Sequence, residues 1–208
     1  MRPLPRLHAV TDHAVFALED YPVRAAAIAA AGPAVALHAR DRNSSGAELA
    51  AVTARLQALA RPPGAAVFVN ARADLALALD TQGLQLGQDD LAPADVRRAI
   101  GARWSGWIGA SVHSLTEADL AVDADFLIVG SVYQTSTHPG QAGSGIQLVR
   151  ELAAQGRPVI AIGGITPERA HEVCDAGAWG VAAISAVWYA ADPYRAALAL
   201  LAPWAEAA

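Results

Sequence analysis

Residues able to do acid–base or anion chemistry recur along this chain, each just after a short apolar run. His113 closes the stretch Gly-Ala-Ser-Val-His. An imidazole can take and return a proton near neutral pH. Ser111, two residues earlier on extended chain, shares its side. His38, Arg40 and Arg42 follow a second run, and the arginines alternate with Asp41. On extended backbone both guanidiniums face one way, which suits a diphosphate or a carboxylate. Asn70 ends a third run. Gly163 and Gly164 stand between an apolar run and a helix start, where bare backbone N–H groups can approach an anion. Ile184 and Ser185 offer a second turn of this kind. Thr135, Ser136, Thr137 and His138 make a loop of hydroxyls beside one more histidine. Each group also has a plainer reading: a structural histidine, solvated loop arginines, a tight glycine turn.

The elements that must position these groups are legible as alternation. The sequence predicts strands at Leu7–Val10, Ala34–Leu37, Ala65–Val69, Gly83–Leu86, Trp107–Ala110, Phe126–Val129, Val159–Ile162 and Val181–Ile184. They are short, continuous and rich in β-branched residues, as strands covered on both faces should be. Helices are expected at Tyr21–Ala31, Ala47–Ala60, Ala71–Leu79, Pro93–Ile100, Leu115–Val122, Gly145–Gln155, Pro167–Ala176 and Asp192–Ala202. Ser114 with Glu117 reads as a capping box, and Thr166-Pro167-Glu168 as a helix start. This predicts an α/β chain of one domain, residues 1–208, folded as a (β/α)8 TIM barrel. A doubly wound open sheet is the alternative, but no Gly-x-Gly-x-x-Gly follows the first strand. In a barrel the polar residues at the C-terminal strand ends form the site, and a phosphate commonly binds after strands seven and eight.

Bulk properties narrow the function. With 54 % hydrophobic and 17 % charged residues, a large core is expected and disorder is not. The net charge of −5 and scattered arginines argue against nucleic acid as a partner. No uncharged run approaches the ~18 residues of a membrane span, so no membrane partner and a cytoplasmic location are expected. One cysteine, Cys174, permits no internal disulfide and reads as a core residue. No His/Cys spacing suggests zinc.

As a series, "LHAVTD", "HARDR", "VNARADLAL", "GLQLGQDDL", "GASVHS", "VYQTSTH", "VIAIGGITPE" and "AISAV" resemble the thiamine-phosphate synthase superfamily over nearly the whole chain. The resemblance implies a (β/α)8 barrel and one of two activities. The synthase branch joins an aminomethylpyrimidine diphosphate to a thiazole phosphate with magnesium. The tautomerase branch shifts a proton in a carboxythiazole phosphate without metal. Synthases read Gln-x-Arg-x-Lys where this chain has His38, Arg40 and Arg42. They carry a magnesium-binding aspartate where Ala71 stands, and a lysine at the place of His138. Asp90 matches the retained second metal aspartate. Losing a carboxylate weakens a hard oxygen site for magnesium, so the expectation is a thiazole tautomerase, an isomerase with His113 as its base. It would need no cofactor and take a thiazole phosphate as its small-molecule partner, with a homodimer left open. The synthase, with magnesium on Asp90, is the alternative; a non-catalytic phosphometabolite binder is the third.

Overall fold

The structure, a computed structural model, describes residues 3–61, 64–134 and 143–206. Eight parallel strands close into a barrel in sequence order. They are β1 Leu7–Val10, β2 Val35–Ala39, β3 Ala66–Asn70, β4 Gly83–Leu86, β5 Trp107–Val112, β6 Phe126–Val129, β7 Val159–Ile162 and β8 Gly180–Ala183. β1 pairs with both β2 and β8, Leu7 lying opposite Val35 and Val181, which leaves no free sheet edge. The expected (β/α)8 barrel is therefore the observed one.

The helices start where local chemistry starts them. They are α1 His13–Phe16, α2 Tyr21–Ala29, α3 Gly46–Ala60, α4 Ala73–Ala78, α5 Pro93–Ile100, α6 Leu115–Leu120, α7 Gly145–Ala153, α8 Pro167–Asp175, α9 Ser185–Trp188 and α10 Pro193–Glu206. The Ser45 hydroxyl caps α3 by accepting from the Glu48 N–H, and the Glu48 carboxylate accepts in return from the Ser45 N–H. The Thr166 hydroxyl accepts from the Arg169 N–H at the start of α8. At α6 the expected box is half formed. Ser114 caps the Glu117 N–H, but the Glu117 carboxylate accepts from His113 instead of returning to Ser114. Among the described residues, no helix is long and apolar enough to cross a membrane.

Three strands run further than their apolar stretches suggest. β2 reaches Ala39, β3 reaches Asn70 and β5 reaches Val112. The ladder uses backbone N–H and C=O groups, so a polar side chain does not end it while a neighbour can pair; Asn70 lies in register with Gln85. His38, Asn70 and Ser111 are thus strand residues whose direction is set by pleat parity. α10 likewise continues past the expected end, with Pro203 inside it, and Trp204 is anchored there by donating to the Ala178 carbonyl.

Parity divides the core in two. Leu7, Leu37, Val67, Leu84, Ile108, Leu127, Val159 and Val181 face outward under the helices. Val10, Ala36, Ala66, Phe68, Phe126, Ile128, Ile160 and Ala182 face inward and fill the barrel, with Leu4 and the half-buried Trp107 and Trp179 at one end. The interior is tapered to size. The Phe68 ring lies over β4, where a Cβ on Gly83 would sit 2.3 Å from it. Gly83→Ala is expected to cost about 1–3 kcal/mol by overpacking. Urea unfolding reads this as a lower midpoint; an unchanged midpoint would mean that Phe68 can yield.

Candidate active site

One large cleft, of about 1100 Å³, opens at the C-terminal ends of the strands. Arg40, Arg42, Asn70, Asp90, Ser111, His113, Gly163, Gly164, Ile184 and Ser185 all line it. The barrel closure brings these together from the ends of β3 and β5 and from loops after β2, β4, β5, β7 and β8. Thr135, Ser136, Thr137 and His138 lie outside the described residues.

The two arginines meet the expectation that they share a side. Arg40 is half-buried and Arg42 exposed at the cleft. Burial, and then the like charge of Arg42, push the Arg40 pKa down. That is the mark of a cation site without a full complement of anions. Asp41 between them lines the same cleft but is occupied: its carboxylate accepts from the Ser44 hydroxyl and the Asn43 N–H, and His13 Nδ1 lies 3.0 Å away.

Across the barrel, Gly163 and Gly164 turn with φ of 100° and 64°, in the left-handed region that favours glycine. A Cβ on Gly163 would meet the Ser131 backbone at 2.6 Å. This turn, Thr166 at the start of α8 and the β8–α9 turn at Ser185 all line the cleft, and N–H groups at such helix starts lack intrahelical partners and suit an anion. Sequence reasoning missed Arg169 here. It lines the cleft, donates to the Gly164 carbonyl at 2.6 Å and stacks over the Tyr133 ring at 4.4 Å. The Tyr133 hydroxyl is pushed up to about 12 by burial and donates to Glu172, so it serves as a brace and not as an acid. Nothing in the helix-start pattern Thr-Pro-Glu-Arg marks Arg169; its side chain is turned inward by its place on the first turn after the glycines.

His113 lies at the rim, with its side chain half exposed and Nδ1 3.2 Å from the Glu117 carboxylate. Ser111 lies deeper and accepts from Gln85 Nε2. Gln85 is the second missed residue. It is the polar residue in β4 that shares its parity with Gly83 and Gly87, a signal that does point inward. Cys174 packs part-buried on α8, where burial raises its thiol pKa, consistent with a core residue.

His38 does not reach the ligand space. It is fully buried beneath the cleft floor. Its Nε2 lies 2.8 Å from His8 Nδ1, and its Nδ1 lies 3.0 Å from the Asn70 amide. The sequence placed it beside Arg40 in a loop; the longer β2 sends it into the barrel. Burial lowers the pKa of both rings, that of His38 to about 4.

The donor set around Asp90 bears on magnesium. Asp90 lines the cleft with Asp89 and Gln88, and its Oδ2 accepts from the Gly87 N–H at 2.6 Å. Among the described residues, no three His, Cys, Asp or Glu side chains converge on one point. Magnesium commonly takes one or two carboxylates and completes its shell with phosphate oxygens and water. Asp90 fits an ion carried in with a diphosphate, not one held by the protein alone. Ala71 stands beside Asn70 with φ of 66°, a left-handed conformation that Asn and Asp tolerate better.

Comparison with known proteins bears on the two branches. A family profile described as thiamine monophosphate synthase matches residues 7–187. The chain belongs to the thiamine monophosphate synthase family. A thiamine-phosphate synthase of Mycolicibacterium vanbaalenii is 41 % identical over 182 residues, 81 % of each chain. One of Chloroflexus aurantiacus is 37 % identical over 204 residues, 95 % of this chain and 91 % of its own. A solved structure, thiamine phosphate pyrophosphorylase from Pyrococcus furiosus, superposes with a TM-score of 0.79 at 33 % identity, covering 97 % of this chain and 96 % of its own. The expectation of a thiazole tautomerase, an isomerase, is corrected: the relatives bear the name of the synthase, a transferase. The departures at His38, Arg42 and Ala71 do not set the chain apart from this family. Arg42 keeps a cation where lysine was expected, His38 points away from the ligand, and diphosphate oxygens can complete a magnesium shell that one carboxylate begins.

Two outcomes are expected of this family member. His38 is held neutral down to about pH 4, whereas in the unfolded chain it titrates near 6.5. Below pH 6.5 the unfolded chain therefore gains protons that the folded chain refuses, so stability is full above 6.5 and falls as pH drops toward 4. Urea unfolding between pH 7.5 and 5, above the carboxylate range, should show this slope. His38→Gln should make it shallower by up to about 1.4 kcal/mol per pH unit. Arg169→Met keeps an apolar stem on Tyr133 and removes the charge. Calorimetry with inorganic phosphate should show binding weakened about tenfold or more; unchanged binding would remove Arg169 from the anion site.

Proposed function

We propose that this protein is a thiamine-phosphate synthase, joining an aminomethylpyrimidine diphosphate to a thiazole phosphate with release of diphosphate. The observation that carries the reading is one cleft with two anion-receptive sides on opposite arcs of the barrel. Arg40, Arg42 and Asp90 follow β2 and β4, while the Gly163–Gly164 turn, Arg169 and Ser185 follow β7 and β8. A carboxythiazole phosphate would bring only a carboxylate to the first side, whereas a diphosphate with its magnesium uses both arginines and Asp90.

In the reaction the carbon–oxygen bond to the diphosphate breaks as the bond to the thiazole forms. Negative charge grows on the departing oxygens. Arg40 and Arg42, which line the cleft and form no ion pair among the described residues, receive it. Magnesium, when bound at Asp90, would add Lewis-acid neutralisation of the same oxygens. Gly163, Gly164, Arg169 and Ser185 hold the thiazole phosphate across the cleft, so both reactants are oriented before the bond is made. Asn70, Gln85 and Ser111 form the polar floor between them. No general base is required of His113, in keeping with its rim position against Glu117.

Incubating the protein with both substrates tests the reading: product and diphosphate should form, turnover should stop with a chelator and return with magnesium. Formation of the aromatic isomer from carboxythiazole phosphate, with no joining of the two substrates, would reject it. Asp90→Asn should lower turnover about 10²-fold. Ala71→Asp, at a backbone conformation that suits aspartate, should lower the magnesium concentration needed for half-maximal turnover several-fold. A magnesium titration of each variant checks both directions.

A further inference from the structure

A hydrogen-bonded file crosses the buried centre of the barrel. His8 Nε2 lies 3.1 Å from the Pro5 carbonyl oxygen, His8 Nδ1 lies 2.8 Å from His38 Nε2, and His38 Nδ1 lies 3.0 Å from the Asn70 side-chain amide. Both rings are fully buried among Phe68 and Phe126, so water is not an alternative partner.

The protons of this file can be counted. The Pro5 carbonyl only accepts, so His8 Nε2 carries a hydrogen. A neutral ring has one N–H, so His8 Nδ1 is a lone pair. His38 Nε2 must then donate to it, because two lone pairs facing each other at 2.8 Å would repel. That leaves His38 Nδ1 as a lone pair, which only the NH2 group of Asn70 can satisfy. The structure sets Asn70 Oδ1 on the His38 side; a half-turn of the amide gives the same outline, and the proton count decides between the two. The other count, three protons on four ring nitrogens, puts a cation in the barrel centre with no carboxylate recorded against it and with Arg40 as the nearby charge. Burial and that guanidinium both disfavour it.

With its NH2 spent on His38, Asn70 turns its carbonyl oxygen to the cleft it lines. Gln85, its register partner on β4, is fixed for a separate reason. Its Nε2 donates to the Leu86 carbonyl and the Ser111 hydroxyl, which holds that amide. Its Oε1 is buried against Gly109 on β5, away from the cleft, and has no partner among the described residues.

We propose that the buried His8–His38 pair is a positioning relay that locks Asn70 with its carbonyl oxygen facing the cleft, where it accepts from a ligand amino group. A primary amine on an aromatic ring has two hydrogens to give, and Asn70 takes one of them. The identification of that amine with the pyrimidine substrate's amino group rests on the synthase reading; the amide orientations do not.

The test has two arms. Long-range proton–nitrogen NMR of the ¹⁵N-histidine-labelled protein at neutral pH should show His8 and His38 both with Nε2–H and bare Nδ1. A hydrogen on His38 Nδ1, or a doubly protonated ring, overturns the relay. In the second arm, calorimetry compares the amino-pyrimidine diphosphate with its analogue carrying a carbonyl in place of the amine, without the thiazole phosphate. The wild type should prefer the amine by roughly 10–100-fold. His8→Leu removes the acceptor for His38 Nε2; it should move the His38 proton to Nδ1 and lose about tenfold of that preference. His8→Gln, which can accept from His38 and donate to Pro5, should restore both. A folded His8→Leu protein with the proton moved and the preference intact would show that the relay does not govern recognition. Binding of neither pyrimidine overturns the amine assignment together with the synthase reading, while the first arm still judges the relay by itself.

Discussion

A polar side chain that points into a closed parallel barrel has no water to bond. Everything at the bottom of this cleft follows from that constraint. His8 and His38 are forced inward by the parity of β1 and β2, and each must find partners among fixed neighbours. They find the Pro5 carbonyl below, each other, and the Asn70 amide above. The floor of the site is therefore set by the buried centre, while the loops set its charged sides. The aromatic packing around the pair holds this geometry: the His8, His38, Phe68 and Phe126 rings lie 5.0 to 6.0 Å apart, and Gly83 gives Phe68 its room.

The rigid floor and the charged rim divide the work. Amide and hydroxyl groups on strands keep their direction because the ladder holds their backbone. Arginines and glycine turns after the strands meet anions, whose shape and charge demand less exact placement. This division lets a member of the family carry departures that look severe in one dimension. In the proposed reaction, neutralisation of a leaving diphosphate is shared among several groups, so Arg42 for lysine, or Ala71 for an acid, would change a share and leave the rest. Replacing an inward strand residue is different. His38 in place of a glutamine forces a partner of matching protons at the next strand, and His8 supplies it.

Much of the fold was legible because the signals are local. Short apolar runs between helix patterns marked all eight strands, and β1, β4, β6 and β7 came out with their observed limits. β2, β3 and β5 came out short, because an ending read from side-chain polarity misses a ladder made by the backbone. That error had a functional consequence: it left His38 in a loop as a ligand contact. The cleft residues after the strands, from Arg40 to Ser185, were found because strand ends of one barrel face one opening. Gln85 was overlooked although its parity pointed inward, and Arg169 carried no local mark at all. His113 drew too much weight from its residue type; its pairing with Glu117 follows from the helix start beside it.

The sequence by itself determined the barrel, the end of it at which the cleft opens, and many of the residues that line that opening, because periodicity, caps and glycine turns act within a few residues of chain. It could not determine which polar groups face one another, since that depends on strand register across thirty residues or more. Only the closed barrel decided that His38 bonds to His8 and Asn70 and not to a ligand, and that Arg169 stands over the Gly163–Gly164 turn. The physical reason is the same in both cases: a side chain's partner is set by where the backbone ladder and its packing aim it, and that aim is a property of neighbouring strands and helices, not of the residue.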